Sequence, residues 1–372
     1  MKMTLPSVFD LCVPRKDVLN GTITDSDFAA NLARVLRGDA APDYLDPKQF
    51  FPNTYPTEGL KGLLANVCGR LSGKGAAISA VFRLDTSFGG GKTHGLIALV
   101  HAARGMKGVL NVEEFVNPAI VPIGPVRVAA FDGENADVAN GRPMGEGIRA
   151  FTPWGEIAYQ LAGKAGYEIV RKSDQDRIAP GTDTIRELFG SDPVLIVIDE
   201  LGEYLRKVQH MDGPDQLAAF MKALFTAVET TSNAAVVYTL AVQAGGKSVD
   251  AFATENEFLA SAMLELESVS GRKATILNPT KDDETAKVIR RRLFARIDDA
   301  RAAEVIDAYK DALERPSRGA IRGGAPAQRC RRIRAQLSLP SGCPRYADEQ
   351  DGYARQFSAR ARNASHLGED SW

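Results

Sequence analysis

The sequence predicts an α/β fold: a mostly parallel sheet with helices on both faces, preceded by a helical N-terminal extension. Three observations carry this. Short β-branched or apolar runs recur at Ile78–Leu84, Val126–Phe131, Val194–Ile198, Ala234–Leu240 and Ala274–Leu277. Helical patterns lie between most of them, and strands alternating with helices pair in parallel. The first run leads directly into glycines, a Lys-Thr pair and an apolar helix, the order strand, glycine loop, helix that such sheets use to hold phosphate groups.

From the N-terminus, residues 1–75 read as an accessory segment. A helix is predicted over Phe28–Arg37, with Asp25 or Ser26 as its cap and Gly38 as its stop. A second is predicted over Glu58–Leu71, where Leu60, Leu63, Leu64, Val67 and Leu71 follow the spacing of one buried face. Between them run Tyr44-Leu45-Asp46-Pro47, Phe50-Phe51-Pro52 and Tyr55-Pro56, an aromatic and proline-rich stretch expected to pack against a domain face.

The core is expected over residues 76–280. Its glycine loop is Leu84-Asp85-Thr86-Ser87-Phe88-Gly89-Gly90-Gly91-Lys92-Thr93-His94. Ser87, Gly89, Gly90, Gly91, Lys92 and Thr93 are the expected nucleotide-binding residues. Glycines let backbone N–H groups turn toward phosphate oxygens, Lys92 adds positive charge, and the Thr93 hydroxyl can reach Mg²⁺. Thr86 stands where the usual phosphate-loop pattern begins with Gly. A glycine-rich turn with an exposed Lys has the same outline, so the loop needs a second element.

Val194-Leu195-Ile196-Val197-Ile198-Asp199-Glu200 supplies it. The run reads as a buried parallel strand, and its carboxyl end lies where α/β sheets bind ligands. Asp199 is the expected Mg²⁺ residue with Thr93, and Glu200 the expected catalytic group acting on a water. A core strand followed by a solvated acidic turn is the plainer reading of this run alone. The glycine loop upstream turns the balance.

After a helix expected over Asp215–Thr230, the strand Ala234–Leu240 carries Thr239 near its end. Thr239, or Gln243 beyond it, stands where ATPases with an added strand place a polar γ-phosphate sensor. Thr239 also suits a strand simply as a β-branched residue. Asp132-Gly133-Glu134, after the second strand, lies on the same edge and could contact nucleotide or a partner, but a polar turn is favoured. Residues 281–314 are expected to be helical, with Lys281–Ile297 carrying Arg290, Arg291, Arg292 and Arg296. One could serve as an arginine finger, but a solvated basic face is favoured.

The chain has 372 residues, 44% hydrophobic and 25% charged, with a net charge of −1, so no overall field marks a nucleic-acid binder. No apolar run approaches a membrane span, and the first residues lack a secretory pattern, which makes cytoplasm the expected compartment. Cys12, Cys68, Cys330 and Cys343 show no metal or disulfide spacing, and His94, His101, His210 and His366 form no ligand pattern. His94 and His101 are expected as helix residues.

Tyr44-Leu45-Asp46-Pro47, Phe50-Phe51, Thr54-Tyr55, Ser87 to His94, Trp154-Gly155-Glu156-Ile157-Ala158 and Asp199-Glu200-Leu201 together resemble the prokaryotic ATP-binding family called domain of unknown function 499. The resemblance covers about residues 7–314. It implies an AAA-like P-loop NTPase binding ATP and Mg²⁺, with Lys92 and Thr93 in the nucleotide role, Asp199 in the Mg²⁺ role and Glu200 in the catalytic role. Family members often lie near DNA methyltransferase and other defence genes. This implies a nucleic-acid-linked protein partner, such as a DNA methyltransferase, and a possible homo-oligomer.

From Arg315 the composition changes. Residues 315–372 hold eleven Arg, no Lys and five acids. One reading is a basic arm for nucleic acid. The other, preferred here, is out-of-frame translation: shifted by one base, permitted codons for Gln336–Asp348 and Gln356–Ala364 can spell family-like segments. The chain is then expected to be a truncated family member with an incomplete lid and a largely disordered tail. The expected function is Mg²⁺-dependent ATP hydrolysis driving a switch or motor. A non-hydrolysing ATP-binding scaffold, an inactive fragment and a P-loop kinase are the alternatives.

Overall fold

The computed structural model describes residues 6–20, 30–74, 78–84, 91–209, 212–239, 274–279 and 284–314. Ser87, Gly89, Gly90, Gln243 and the tail from Arg315 lie outside them. The described residues fall into two compact units, one within residues 29–284 and one that joins residues 6–20 to 285–314. The described strands are β1 (Cys12–Pro14), β2 (Val81–Leu84), β3 (Arg127–Asp132), β4 (Arg142–Gly145), β5 (Ile148–Ala150), β6 (Val194–Asp199), β7 (Ala234–Thr239), β8 (Ala274–Leu277) and β9 (Phe294–Ile297).

The larger unit is built on a five-stranded sheet in the order β3-β6-β7-β2-β8, every pairing parallel. Parallel strands need helical crossovers, which cover both faces and force the strands to be apolar on both sides. The burial follows: β2, β6 and β7 are buried along their whole length. Alternate residues divide between two cores. Phe131, Ile196, Ile198, Val236 and Tyr238 pack with helices Pro153–Asp176, Thr182–Phe189, Leu201–Val208 and Gly213–Glu229. Phe82, Leu84, Leu195, Val197 and Val237 pack with Leu32–Arg37, Pro47–Asn53, Glu58–Leu71 and Lys92–Ala103.

Capping fixes where the helices begin. Thr57 accepts from Leu60 N at 3.2 Å to open Glu58–Leu71, and its own hydroxyl donates to Pro279 O at 2.5 Å. Thr152 accepts from Gly155 N, with Pro153 at the first turn, to open Pro153–Asp176, which breaks at Ala162 and Gly163 into two helical stretches. Asn31 caps the helix Leu32–Arg37 and accepts from Arg34 N at 2.9 Å, while Asp25, Ser26 and Phe28 lie outside the described residues. It stops as expected at Gly38, which adopts φ 81°. Buried Arg70 ties the far end of the sheet together. It donates to Ala234 O, Ile78 O, Val228 O and Thr231 O, so four carbonyls neutralise the cost of its burial.

A hairpin that the sequence reading did not foresee, β4 with β5, follows β3 and packs Ile148 and Ala150 on Tyr167.

In the smaller unit, β1 pairs antiparallel with β9, Cys12 opposite Ile297. The expected continuous helix through Ile297 is therefore corrected: the helix Thr285–Leu293 ends and residues 294–297 extend as β9. The backbone gains partners there, with Arg15 N donating to Leu293 O and Asp298 N to Leu11 O. The compact units thus part at 28 and 284, while the sequence segmentation fell at 75 and 280. Residues 32–71 share a core with the sheet, and residues 12–14 share a ladder with 294–297.

Candidate functional site

The carboxyl ends of β6 and β7 meet the start of the helix Lys92–Ala103. Gly91 caps that helix at φ 75°, a left-handed backbone that glycine adopts without cost. Lys92 and Thr93 follow in its first turn, where N–H groups point out of the helix and favour an anion. Lys92 is largely buried.

Thr93 Oγ1 donates to Asp199 Oδ2 at 2.7 Å. Thr239, fully buried at the end of β7, donates to Asp199 Oδ1 at 2.6 Å and accepts from Glu200 N at 2.9 Å. Glu200 N also reaches Asp199 Oδ1 at 3.1 Å. Four expected site residues, Thr93, Asp199, Glu200 and Thr239, are thus joined in one network. Thr239 bonds to both acids, at the carboxyl edge where the sequence placed it.

Burial raises the Asp199 carboxyl above its usual range. Bonds from Thr239 and Thr93 oppose the rise, and the charge of Asp132 adds to it. Asp132 is the neighbour of Asp199 in the β3–β6 register. Glu200 is raised as well, by burial and then by Asp199, with Lys92 pulling the other way. Lys92 therefore acts electrostatically on Glu200. Thr93 and Asp199 present hard oxygen donors 2.7 Å apart, a donor set suited to Mg²⁺.

Glu200 itself has φ 50° and ψ 48°. A glutamate in this left-handed region carries strain, and such residues collect at functional sites. It opens the helix Leu201–Val208 without a side-chain cap bond.

The two helix histidines are not at this centre. His94 stacks on Phe50, centroids 4.5 Å apart, and its Nε2 is 2.8 Å from Thr54 Oγ1. His101 Nε2 lies 2.8 Å from Tyr44 O. Seven residues apart, they share one helix face and dock the aromatic stretch Tyr44–Tyr55, as its composition led one to expect. Trp154-Gly155-Glu156 also gains a physical reason. A Cβ on Gly155 would stand 2.2 Å from Asp174 Oδ1. Asp174, fully buried, accepts from Phe151 N, Thr152 N, Thr152 Oγ1 and Tyr167 Oη. Glu156 pairs with Arg142 of β4 at 3.1 Å, and burial pushes its carboxyl up to about 7 against the pull of Arg142. Sequence reasoning missed Asp174 as a hub. The only signal was its position seven residues beyond Tyr167 on a helix.

The fold and site define a class: a parallel α/β domain whose polar residues gather at the carboxyl edge of the sheet, where such folds bind ligands. Within that class, the chain belongs to the family described as the DUF499 N-terminal domain, which it matches over residues 9–273, well over half its length. The matched stretch ends just before β8. No curated protein matches the chain. Among the described residues no helix is long and apolar enough to cross a membrane.

Proposed function

We propose that this chain is a P-loop NTPase module that binds ATP with Mg²⁺ and hydrolyses it. The observation that carries the reading is the bond from Thr93 to Asp199, which brings together two motifs 106 residues apart. The sheet order supports it, because β7 stands between the glycine-loop strand β2 and the acidic strand β6. This is the arrangement of ATPases with an added strand, the class that the resemblance implied.

In this reading the helix start at Gly91–Thr93 receives the β- and γ-phosphates, and Lys92 offsets their charge. Thr93 and Asp199 would hold Mg²⁺, which supplies charge neutralisation at the phosphates when bound. Glu200 takes a proton from a water as the water oxygen adds to the γ-phosphorus. The bond to the β–γ bridging oxygen breaks, leaving ADP and phosphate. The raised Glu200 carboxyl suits a base that must accept a proton near neutral pH. Asp199 and Thr239 fix the backbone from which Glu200 projects.

The test is ATP binding and phosphate release by the chain beside Lys92→Ala, with Mg²⁺ and with chelator. Turnover should fall about 100-fold or more in the variant, the size typical of losing a preorganised charge on the reacting phosphate. Equal ATP binding by parent and variant would sink the reading.

A further inference from the structure

The backbone of Glu200 is held at both ends. Its N–H donates to Thr239 Oγ1 at 2.9 Å and to Asp199 Oδ1 at 3.1 Å. Its carbonyl lies against Gly133, the first residue after β3. A Cβ on Gly133 would stand 2.3 Å from Glu200 O, 3.0 Å from Glu200 C and 3.0 Å from Tyr204 Cβ. Two of these three atoms are backbone and cannot swing away. Gly133 is not among the glycines at positive φ, so space rather than conformation demands glycine here.

The turn that carries Gly133 is itself pinned. Gly133 N donates to Asp199 O at 2.9 Å, extending the β3–β6 ladder by one step. Lys207, on the helix that Glu200 opens, donates Nζ to Glu134 O and, at 3.0 Å, to Ala136 O. Asp132 accepts from Asn135 N and Nδ2, closing the turn on itself. Arg142 of the hairpin donates to Asn135 O at 3.1 Å and pairs with Glu156. The turn therefore cannot retreat from an added methyl without breaking bonds on both sides.

We propose that Gly133 is a positioning residue for the hydrolytic step. Its missing side chain lets the turn Gly133–Ala136 seat on the Glu200 carbonyl, and with Thr239 on the N–H this seat holds Glu200 in its left-handed conformation and fixes where its carboxylate points. The proposal rests on the hydrolytic reading of the site. It assigns the strain at Glu200 to a clamp across three strands, β3, β6 and β7. Gly133 touches neither nucleotide nor water in this account; it acts through the Glu200 backbone.

Two measurements on the full chain test it: steady-state ATP turnover with ATP affinity, and thermal unfolding of Gly133→Ala, Glu200→Gly and the double variant. Gly133→Ala should keep ATP affinity within about twofold and lower kcat at least about tenfold, since a misplacement near 1 Å can cost more than that. Its Tm should fall by about 3 °C or more. Glycine at 200 accepts the left-handed backbone freely and lets it shift, so the double variant should recover part of that fall. Unchanged kcat in Gly133→Ala, with an active parent, overturns the proposal. So do Tm changes that simply add. An inactive parent would sink the hydrolytic reading instead, and the Tm cycle alone then decides whether the seat holds Glu200.

Discussion

Asp174 and Asp199 are both buried aspartates within the same unit, and they are satisfied in different ways. Asp174 accepts four bonds, two from the backbone N–H groups of Phe151 and Thr152 and two from the hydroxyls of Thr152 and Tyr167. Asp199 accepts from two hydroxyls that can rotate, and from the N–H of its strained neighbour. The first environment is closed and joins the hairpin to the long helix. The second has one backbone N–H and two hydroxyls, each of which sits at the carboxyl edge of the sheet. Burial alone does not tell the two carboxylates apart; their place in the fold does, one beneath the hairpin and one at the carboxyl edge of the sheet.

The sharpest way to break this comparison is Asp174→Ala. It strands several buried donors at about 1–3 kcal/mol each, so a loss of at least about 4 kcal/mol is expected in urea unfolding. A loss under about 1 kcal/mol would show that Asp174 is no hub.

Glu156 is the intermediate case, a buried carboxylate with one ionic partner. Its carboxyl is raised from 4.5 to about 7. Between those values the folded state binds more protons than the unfolded chain, so stability falls as pH rises. The contribution is fully present below 4.5 and lost as pH passes about 7. Relative to Glu156→Gln, the parent should gain on the order of 3 kcal/mol when pH is lowered through that window. Parallel unfolding curves of the two proteins against pH would remove Glu156 from the comparison.

Asp199→Asn should invert the Asp174 result. Turnover should drop about 100-fold. Its unfolding midpoint should hold or rise, because the raised carboxyl is a cost of folding that falls away with the charge. A large loss of stability would place Asp199 with Asp174. The smallest effect is expected at the aromatic dock. His94→Gln gives up the stack on Phe50 and should cost about 1 kcal/mol with ATP affinity little changed.

The sheet was legible in the sequence because its strands are buried on both faces, which leaves continuous β-branched runs such as Val194–Ile198. The helix Glu58–Leu71 was legible because five leucines and valines keep one face. The pairing of Thr93 with Asp199 was legible as chemistry, since each motif asks for the other. Three features were not. The strand Phe294–Ile297 is half-exposed, contains Arg296 and closely follows Arg290–Arg292, so its composition reads as helix until Cys12–Pro14 pairs with it. The start at Leu32 turned on Asn31, one of several residues nearby able to cap a helix. The bonds of Thr239 to Asp199 and Glu200 depended on which way a hydroxyl turns, and no spacing records that.

One bond sets when this domain can close as it is made. Thr57 donates to Pro279 O across 222 residues, and Gly59 has no room for a side chain beneath Asn278 O. The helix Glu58–Leu71 leaves the ribosome early, but the residues that cover its first turn emerge last in the unit. At ordinary synthesis rates the wait is roughly 10–45 s. Through most of that interval β2 has neither β7 nor β8 beside it, and the edge that β8 covers stays open longest to any other extended chain. For a nascent chain of this kind, a holding chaperone would have its longest opportunity at that edge.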